Sequence, residues 1–428
     1  MRQLDFRRVS AFARYHGFSG SIWRRRIAIG GGAVLVGLMA LLYARIADLA
    51  NAAFLGIVAW NSWAPILITP LGFALLAWIT RVAAPDARGS GIPQVIAASR
   101  DPVRATHSLI SPRTGIVKFI VMPIGLLVGA SAGREGPTVQ IGATIMAYTH
   151  RLAGIPLRAS VMVAGGAAGV SAAFNTPLAG VAFAIEELAA AYEQRMTLLV
   201  MAAVLIAGMV SLGIAGDYVY FGIVSQHLAF LPALAIASVA GIAGGLSGGL
   251  FAQAMLAVSQ SPNRWLARLR ARPVLFAAAC GLIVAVIGTV TQLTWGTGYS
   301  AARAMTEGTG APLWYAPAKF AASLSTAISG LPGGIFAPAL STGAGVGNLI
   351  RPIFPDQPAS AVVLLGMVAY FTGVVRAPLT AVIVVVETTA SRGLLLPLLG
   401  TALIADGAAQ LVGREKLYHG LARGFESR

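Results

Sequence analysis

Charge is scarce in this chain, and acidic charge scarcest of all. Only 11% of the 428 residues are charged, with Asp and Glu numbering 15 against 31 Lys and Arg. An average soluble domain carries about a quarter. A single cysteine, Cys280, excludes an internal disulfide framework and any CxxC metal site. The five histidines (His16, His107, His150, His227 and His419) are scattered without an HxxxH spacing, so no metal is expected. No GxxxxGK[ST] phosphate loop is present, and no nucleophile and base stand at a motif spacing. No cofactor is expected. An intramembrane enzyme would have only the adjacent carboxylates Glu186 and Glu187 for acid/base work.

What remains is apolar, with 57% of residues hydrophobic. Runs of about 18 residues or more can span a bilayer. They recur at Ile27 to Ala44, Ala159 to Ile185 and Thr197 to Ala215, so one integral, all-α, polytopic membrane domain in a lipid bilayer is expected. The net charge of +16 does not point to nucleic acid, because the basic residues form no stripe interleaved with aromatics. They flank spans instead. Seven Arg fall in the first 26 residues, Arg264, Arg268, Arg270 and Arg272 share one loop, and Arg414, Lys416, Arg423 and Arg428 close the chain. By the positive-inside rule these segments are cytoplasmic and so are both termini. The basic start lacks a small-residue cleavage site and is followed by Arg45 and Asp48, so it reads as a retained first span and not a signal peptide.

Compared with itself, the chain repeats at an offset of 201 residues. Lys118-Phe119 meets Lys319-Phe320, Gly133 meets Gly334, Pro137 meets Pro338, and Gly142 meets Gly343. Gly165 meets Gly366, Pro177-Leu178 meets Pro378-Leu379, and Glu186 meets Glu387. The expected organisation is an N-terminal segment (1–26), a first membrane repeat (27–215), a connecting loop (216–228), a second repeat (229–412) and a C-terminal helix and tail (413–428). Such repeats are often inverted, with the ligand site at the midplane where broken helices meet.

Three segments have the required short, Gly- and Pro-interrupted character: GSGIPQVIAAS (89–99), GREGPTVQIGATIMAY (133–148) and GGIFAPALSTGAGVGNLI (333–350). They read as helices that begin inside the membrane. A helix start aims unpaired N–H groups and the positive end of its dipole forward. Several converging make an anion site whose partial charges permit release as well as binding.

The motifs GSGIP (89–93), GREGP (133–137), FNTPLAG (174–180) running into Glu186-Glu187, GGIFAP (333–338) and Tyr418 in KLYHG resemble those of the CLC family of chloride channels and chloride/proton antiporters. The resemblance implies an inverted repeat of tilted and broken transmembrane helices. It implies an anion site built from Ser90, Gly91, Ile92, Gly136, Ile335, Phe336 and Tyr418, with Glu135 as a gate that blocks the site when charged and swings away when protonated. A second glutamate at the place of Glu187, apolar in known channels, implies internal proton transfer, with the adjacent Glu186 as a further candidate for it, so exchange of chloride for protons is the expected function. A passive chloride channel is the alternative. A fluoride/proton antiporter fits less well, because the Ser-centred motif and the paired glutamates are intact.

Other readings stand beside these. Less favoured are Glu187 as a solvated helix end before AAAYEQR, Ser90 as no more than a cap of the helix beginning at Ile92, and Tyr418 as an interfacial aromatic, whereas Glu186 reads as a structural or water-organising group at least as well as it does as a proton carrier. Lys118 and Lys319 either pair with carboxylates or add positive potential to the pathway. Gln94 departs from the Glu that often follows GSGIP. The resemblance further implies a homodimer in a bacterial inner membrane, and with 15 residues after Gly413 no cytoplasmic nucleotide-binding domains are expected.

Overall fold

The computed structural model describes residues 20–189, 194–216, 219–260 and 263–426. Most of the arginine-rich start, most of the AAAYEQR turn, residues 217–218 of the connecting loop and Arg428 lie outside the described residues. In hydrocarbon every backbone polar group needs an internal partner, which favours helices. The described residues accordingly contain no β-strand, only two isolated bridges.

Two kinds of helix result. Six are long and apolar enough to cross a membrane: Trp23–Trp60, Pro65–Ala83, Thr197–Ala215, Phe230–Gln260, Pro273–Thr291 and Arg392–Val412. They expose residues such as Leu42, Leu75, Leu250, Val290 and Leu411 on one side, where lipid can take them. The second kind is short and enclosed. Ala159–Phe174 and Ala359–Val375 are buried almost from end to end, as expected of helices apolar all round.

One expected span is corrected. Ala159 to Ile185 is not a single crossing. The first helix ends at Phe174, Asn175 caps it in the left-handed conformation (φ 58°), and Pro177 begins a new helix, Pro177–Phe183. Proline at a helix's first position has no N–H to lose there, so Asn-Thr-Pro is a stop followed at once by a start. The chain then widens into a π-turn at Ala184–Leu188.

The two repeats are related by a pseudo-two-fold axis, and the mates found at offset 201 meet across it. Gly133 and Gly334 pair in an antiparallel bridge, each N–H donating to the other's carbonyl at 2.7 Å. Equivalent segments thus run in opposite directions, the signature of inversion. Glu186 accepts the N–H groups of Leu379 and Thr380 (3.0 and 2.6 Å) at the start of the helix Pro378–Thr389. Glu387 accepts those of Leu178 and Ala179 (3.2 and 2.8 Å) at the start of Pro177–Phe183. Each repeat caps the other. Arg376, the mate of Asn175, repeats its left-handed turn at φ 59°.

The repeated glycines have a packing reason. A Cβ on Gly165 would lie 2.6 Å from the Gly142 carbonyl, and one on Gly366 would lie 2.7 Å from that of Gly343. In each repeat the helix crossing is close enough to require bare backbone. Gly165→Ala and Gly366→Ala are therefore expected to cost about 1–3 kcal/mol each through overpacking. Gly31→Ala, where nothing lies within 4 Å, is expected to cost nothing, and thermal unfolding in detergent compares the three directly.

Candidate functional site

The helices Ile92–Arg100, Glu135–Leu152 and Phe336–Ile350 all begin in the buried interior. No side chain caps any of these three starts at the N-cap position. Their N-terminal backbone is packed together: a Cβ on Gly136 would lie 2.9 Å from the Ser90 carbonyl. Gly91 has φ 104° and a Cβ there would come within 2.8 Å of Gln140, so only glycine serves.

A cavity of about 840 Å³ reaches this place, lined by Arg81, Arg88, Ser90, Ile335 and Tyr418, with Arg270 also on its wall and no Asp or Glu among the described lining residues. Ser90 sits two residues before Ile92 and accepts its N–H at a long 3.3 Å, so it contributes a weak cap and still faces the cavity. Tyr418 is fully buried, and its hydroxyl has no hydrogen-bond partner among the described residues. Phe336 holds that ring in an aromatic cluster, with centroid distances of 6.1 Å to Tyr418, 5.0 Å to Phe371 and 5.5 Å to Phe183.

Glu135 opens its helix and is fully buried. The hydroxyl of Tyr299 donates to its Oε1 at 2.5 Å, and the N–H groups of Glu135 itself and of Ala337 face the carboxylate. Oε2 makes no hydrogen bond of ordinary geometry. Arg134 turns the other way, donating to Ala44 O at 2.9 Å, Asp48 at 2.7 Å and Tyr220 at 3.0 Å.

Glu187 also is fully buried, in the π-turn, so the solvated-helix-end reading does not hold. Neither oxygen has a hydrogen-bond partner among the described residues; Lys416 Nζ lies 3.8 Å from one and His419 Nε2 3.7 Å from the other. Insertions of a π-turn recur at functional sites, because the extra residue redirects the side chains around it. Here it sends Glu187 inward and Glu186 across to the other repeat.

A profile described as voltage gated chloride channel matches residues 72–410. The chain belongs to that family. The family's fold is equally plain in the solved structures this member resembles. A slow cyanobacterial Cl−/H+ antiporter is 25% identical, with a TM-score of 0.79 over 94% of this chain and 98% of the other. A eukaryotic CLC transporter is 22% identical (TM-score 0.73, 94% and 74% covered), and a CLC-type fluoride/proton antiporter 20% (TM-score 0.75, 89% and 94%).

Within this chloride channel family member, both buried lysines serve backbone. Lys118 donates to Gly89 O at 3.0 Å. Lys319 donates to Ser131 Oγ, Thr294 O and Gly296 O at 2.9, 3.0 and 2.8 Å. Neither forms an ion pair with a described carboxylate, and each pins the loop that leads into a helix start. Gln94 does similar work, donating to Asp86 O and Arg88 O at 3.0 and 2.6 Å.

Reading the sequence missed Tyr299, Tyr220 and the Asp48–Arg134 pair. A signal was present. GTGYS (296–300) repeats the G-x-G of GSGIP, but at an offset of 207, so an ungapped search at 201 passes over it. Gly298 (φ 82°) is the counterpart of Gly91, and Tyr299 starts its helix as Ile92 starts its own.

Because the Tyr418 hydroxyl has no partner to lose among the described residues, Tyr418→Phe is expected to leave the thermal midpoint in chloride-free detergent unchanged or slightly higher. A clear fall would mean that the hydroxyl is held by the protein.

Proposed function

We propose that this protein exchanges chloride and similar monovalent anions for protons across a membrane. The observation that carries the reading is a pair of fully buried carboxylates, Glu135 at one of the convergent helix starts and Glu187 beside Lys416 and His419 of the C-terminal segment. Burying a charge within a membrane costs on the order of 2.5–3.5 kcal/mol on insertion scales, so such groups tend to be functional. Glu186 and Glu387 have structural work as caps; Glu135 and Glu187 cap no helix start in the opposite repeat, and each keeps buried carboxylate oxygen without a hydrogen-bond partner among the described residues.

In this reading the anion is held by the Ser90 and Tyr418 hydroxyls and by backbone N–H groups near Gly91, Ile92, Gly136, Ile335 and Phe336. The Glu135 carboxylate, itself an anion, competes for the same N–H groups as chloride. Protonation removes its charge and with it the competition. Glu187 then supplies or takes the proton from the side of the basic C-terminal helix, off the anion path. Glu186 takes no part in proton transfer.

The basic segments at 264–272 and 414–423 support a cytoplasmic location for the cavity mouth and both termini. Family membership supports two repeats bounded near 27–215 and 229–412, a homodimer with one pathway per subunit, and a bacterial inner membrane as the home.

Reconstitution in liposomes, with chloride efflux and proton movement recorded together, tests the exchange. A chloride gradient is expected to drive protons uphill. Glu135→Gln is expected to abolish proton movement while chloride still passes, since a neutral amide mimics the protonated gate but cannot cycle a proton. Persistent uphill proton movement in this variant would sink the gate assignment.

Glu187→Gln is expected to stop or strongly slow protons while sparing chloride. Wild-type coupling in that variant would leave Glu187 without a proton role, and chloride flux without any proton movement in the native protein would establish the channel.

A further inference from the structure

Tyr299 is the one side chain that grips Glu135, and nothing in the reading of the site so far gives that contact a function. We infer that the Tyr299 hydroxyl is a latch for the charged, closed position of Glu135 and so sets the proton concentration at which the anion path opens. The inference rests on Glu135 being the gate.

The latch is built to a fixed position. Tyr299 is the first residue of the helix Tyr299–Thr306, immediately after the left-handed Gly298. Its ring stacks on Tyr220 (centroids 5.0 Å apart, 26° between planes) and packs against Phe221 at 5.4 Å. Tyr220 is itself tied down, donating to Ala173 O at 2.9 Å and accepting from Arg134 at 3.0 Å. The Arg134 guanidinium lies 5.8 Å from the Tyr299 ring centre. The hydroxyl has little freedom to look elsewhere, and Glu135 is its only hydrogen-bond partner among the described residues.

The direction of the effect follows from charge. A hydroxyl donates more strongly to a carboxylate than to a neutral carboxyl group, by roughly a factor of two. Tyr299 therefore favours the charged gate over the protonated one. It acts by holding and not by relaying a proton, because its hydroxyl has no hydrogen-bond partner besides Glu135 among the described residues. The other ionisable groups facing Glu135 are Arg134 beside it, Tyr43 from the helix Gly20–Trp60, and Tyr418 from the C-terminal helix. Asp48 is paired with Arg134, and Lys118 turns its ammonium to Gly89 O. None of these donates a hydrogen bond to the carboxylate among the described contacts, so the phenol is the specific restraint.

The test is the pH profile of chloride flux in liposomes for the native protein, Tyr299→Phe, Glu135→Gln and the double variant. Tyr299→Phe keeps the ring stack and removes the donor. Its flux is expected to open at roughly ten-fold lower proton concentration, a shift of about one pH unit upward that corresponds to about 1.4 kcal/mol. In the Glu135→Gln background the same substitution is expected to leave the profile unmoved. Replacing Tyr299 by 3-fluorotyrosine, a stronger donor of nearly the same shape, is expected to shift the profile the opposite way and does not depend on the Phe variant folding. A wild-type profile for Tyr299→Phe or for the fluorinated protein overturns the latch if Glu135→Gln has lost proton coupling. If Glu135→Gln keeps its coupling, the gate reading itself has failed.

Discussion

Backbone that is neither helical nor paired has to be hidden from hydrocarbon, and the rest of this structure depends on how that is done. Helices that start halfway through the membrane leave N–H groups open at their first turns. The Gly133–Gly334 bridge brings the two sets of starts together with a pair of 2.7 Å hydrogen bonds. Around that contact the long, apolar helices form the wall, and Ile92–Arg100, Glu135–Leu152 and Phe336–Ile350 carry their open starts inward. The open N–H groups thus become a property of the interior, where an anion can use them.

The ionic groups sort by the same constraint. Glu186 and Glu387 satisfy helix starts in the opposite repeat, and Lys118 and Lys319 satisfy carbonyls in the loops before helix starts. Arg134 binds Asp48, Tyr220 and a carbonyl. Every one of these charges completes backbone or another fixed group, which repays the desolvation that burial demands. Glu135 and Glu187 differ: each is fully buried and has carboxylate oxygen without a hydrogen-bond partner among the described residues. A buried acceptor left open in this way suits a group whose proton comes and goes.

Much of this was legible in the residues. Hydropathy and the interrupted helices gave the class of protein, and the 201-residue register identified mates that do meet in space. The register worked because the two-fold axis demands similar chemistry at symmetric places: bare glycine where helices cross, glutamate where a helix start needs an acceptor, lysine where a loop carbonyl needs a donor. Where symmetry is broken the register is silent. Tyr299 stands opposite Ile92 across a six-residue slip, and only one of the two residues has a hydroxyl to offer.

The sequence alone therefore determined a polytopic α-helical membrane protein with duplicated halves and a set of helix starts suited to an anion, since these follow from composition, periodicity and local Gly and Pro chemistry. Tertiary structure alone decided which carboxylates cap a helix start and which do not. Glu186 and Glu187 are adjacent and chemically identical in the chain, yet the π-turn points one at a helix start 193 residues away and leaves the other enclosed without a hydrogen bond. No local pattern carries that distinction, because it depends on what the opposite repeat presents to each carboxylate.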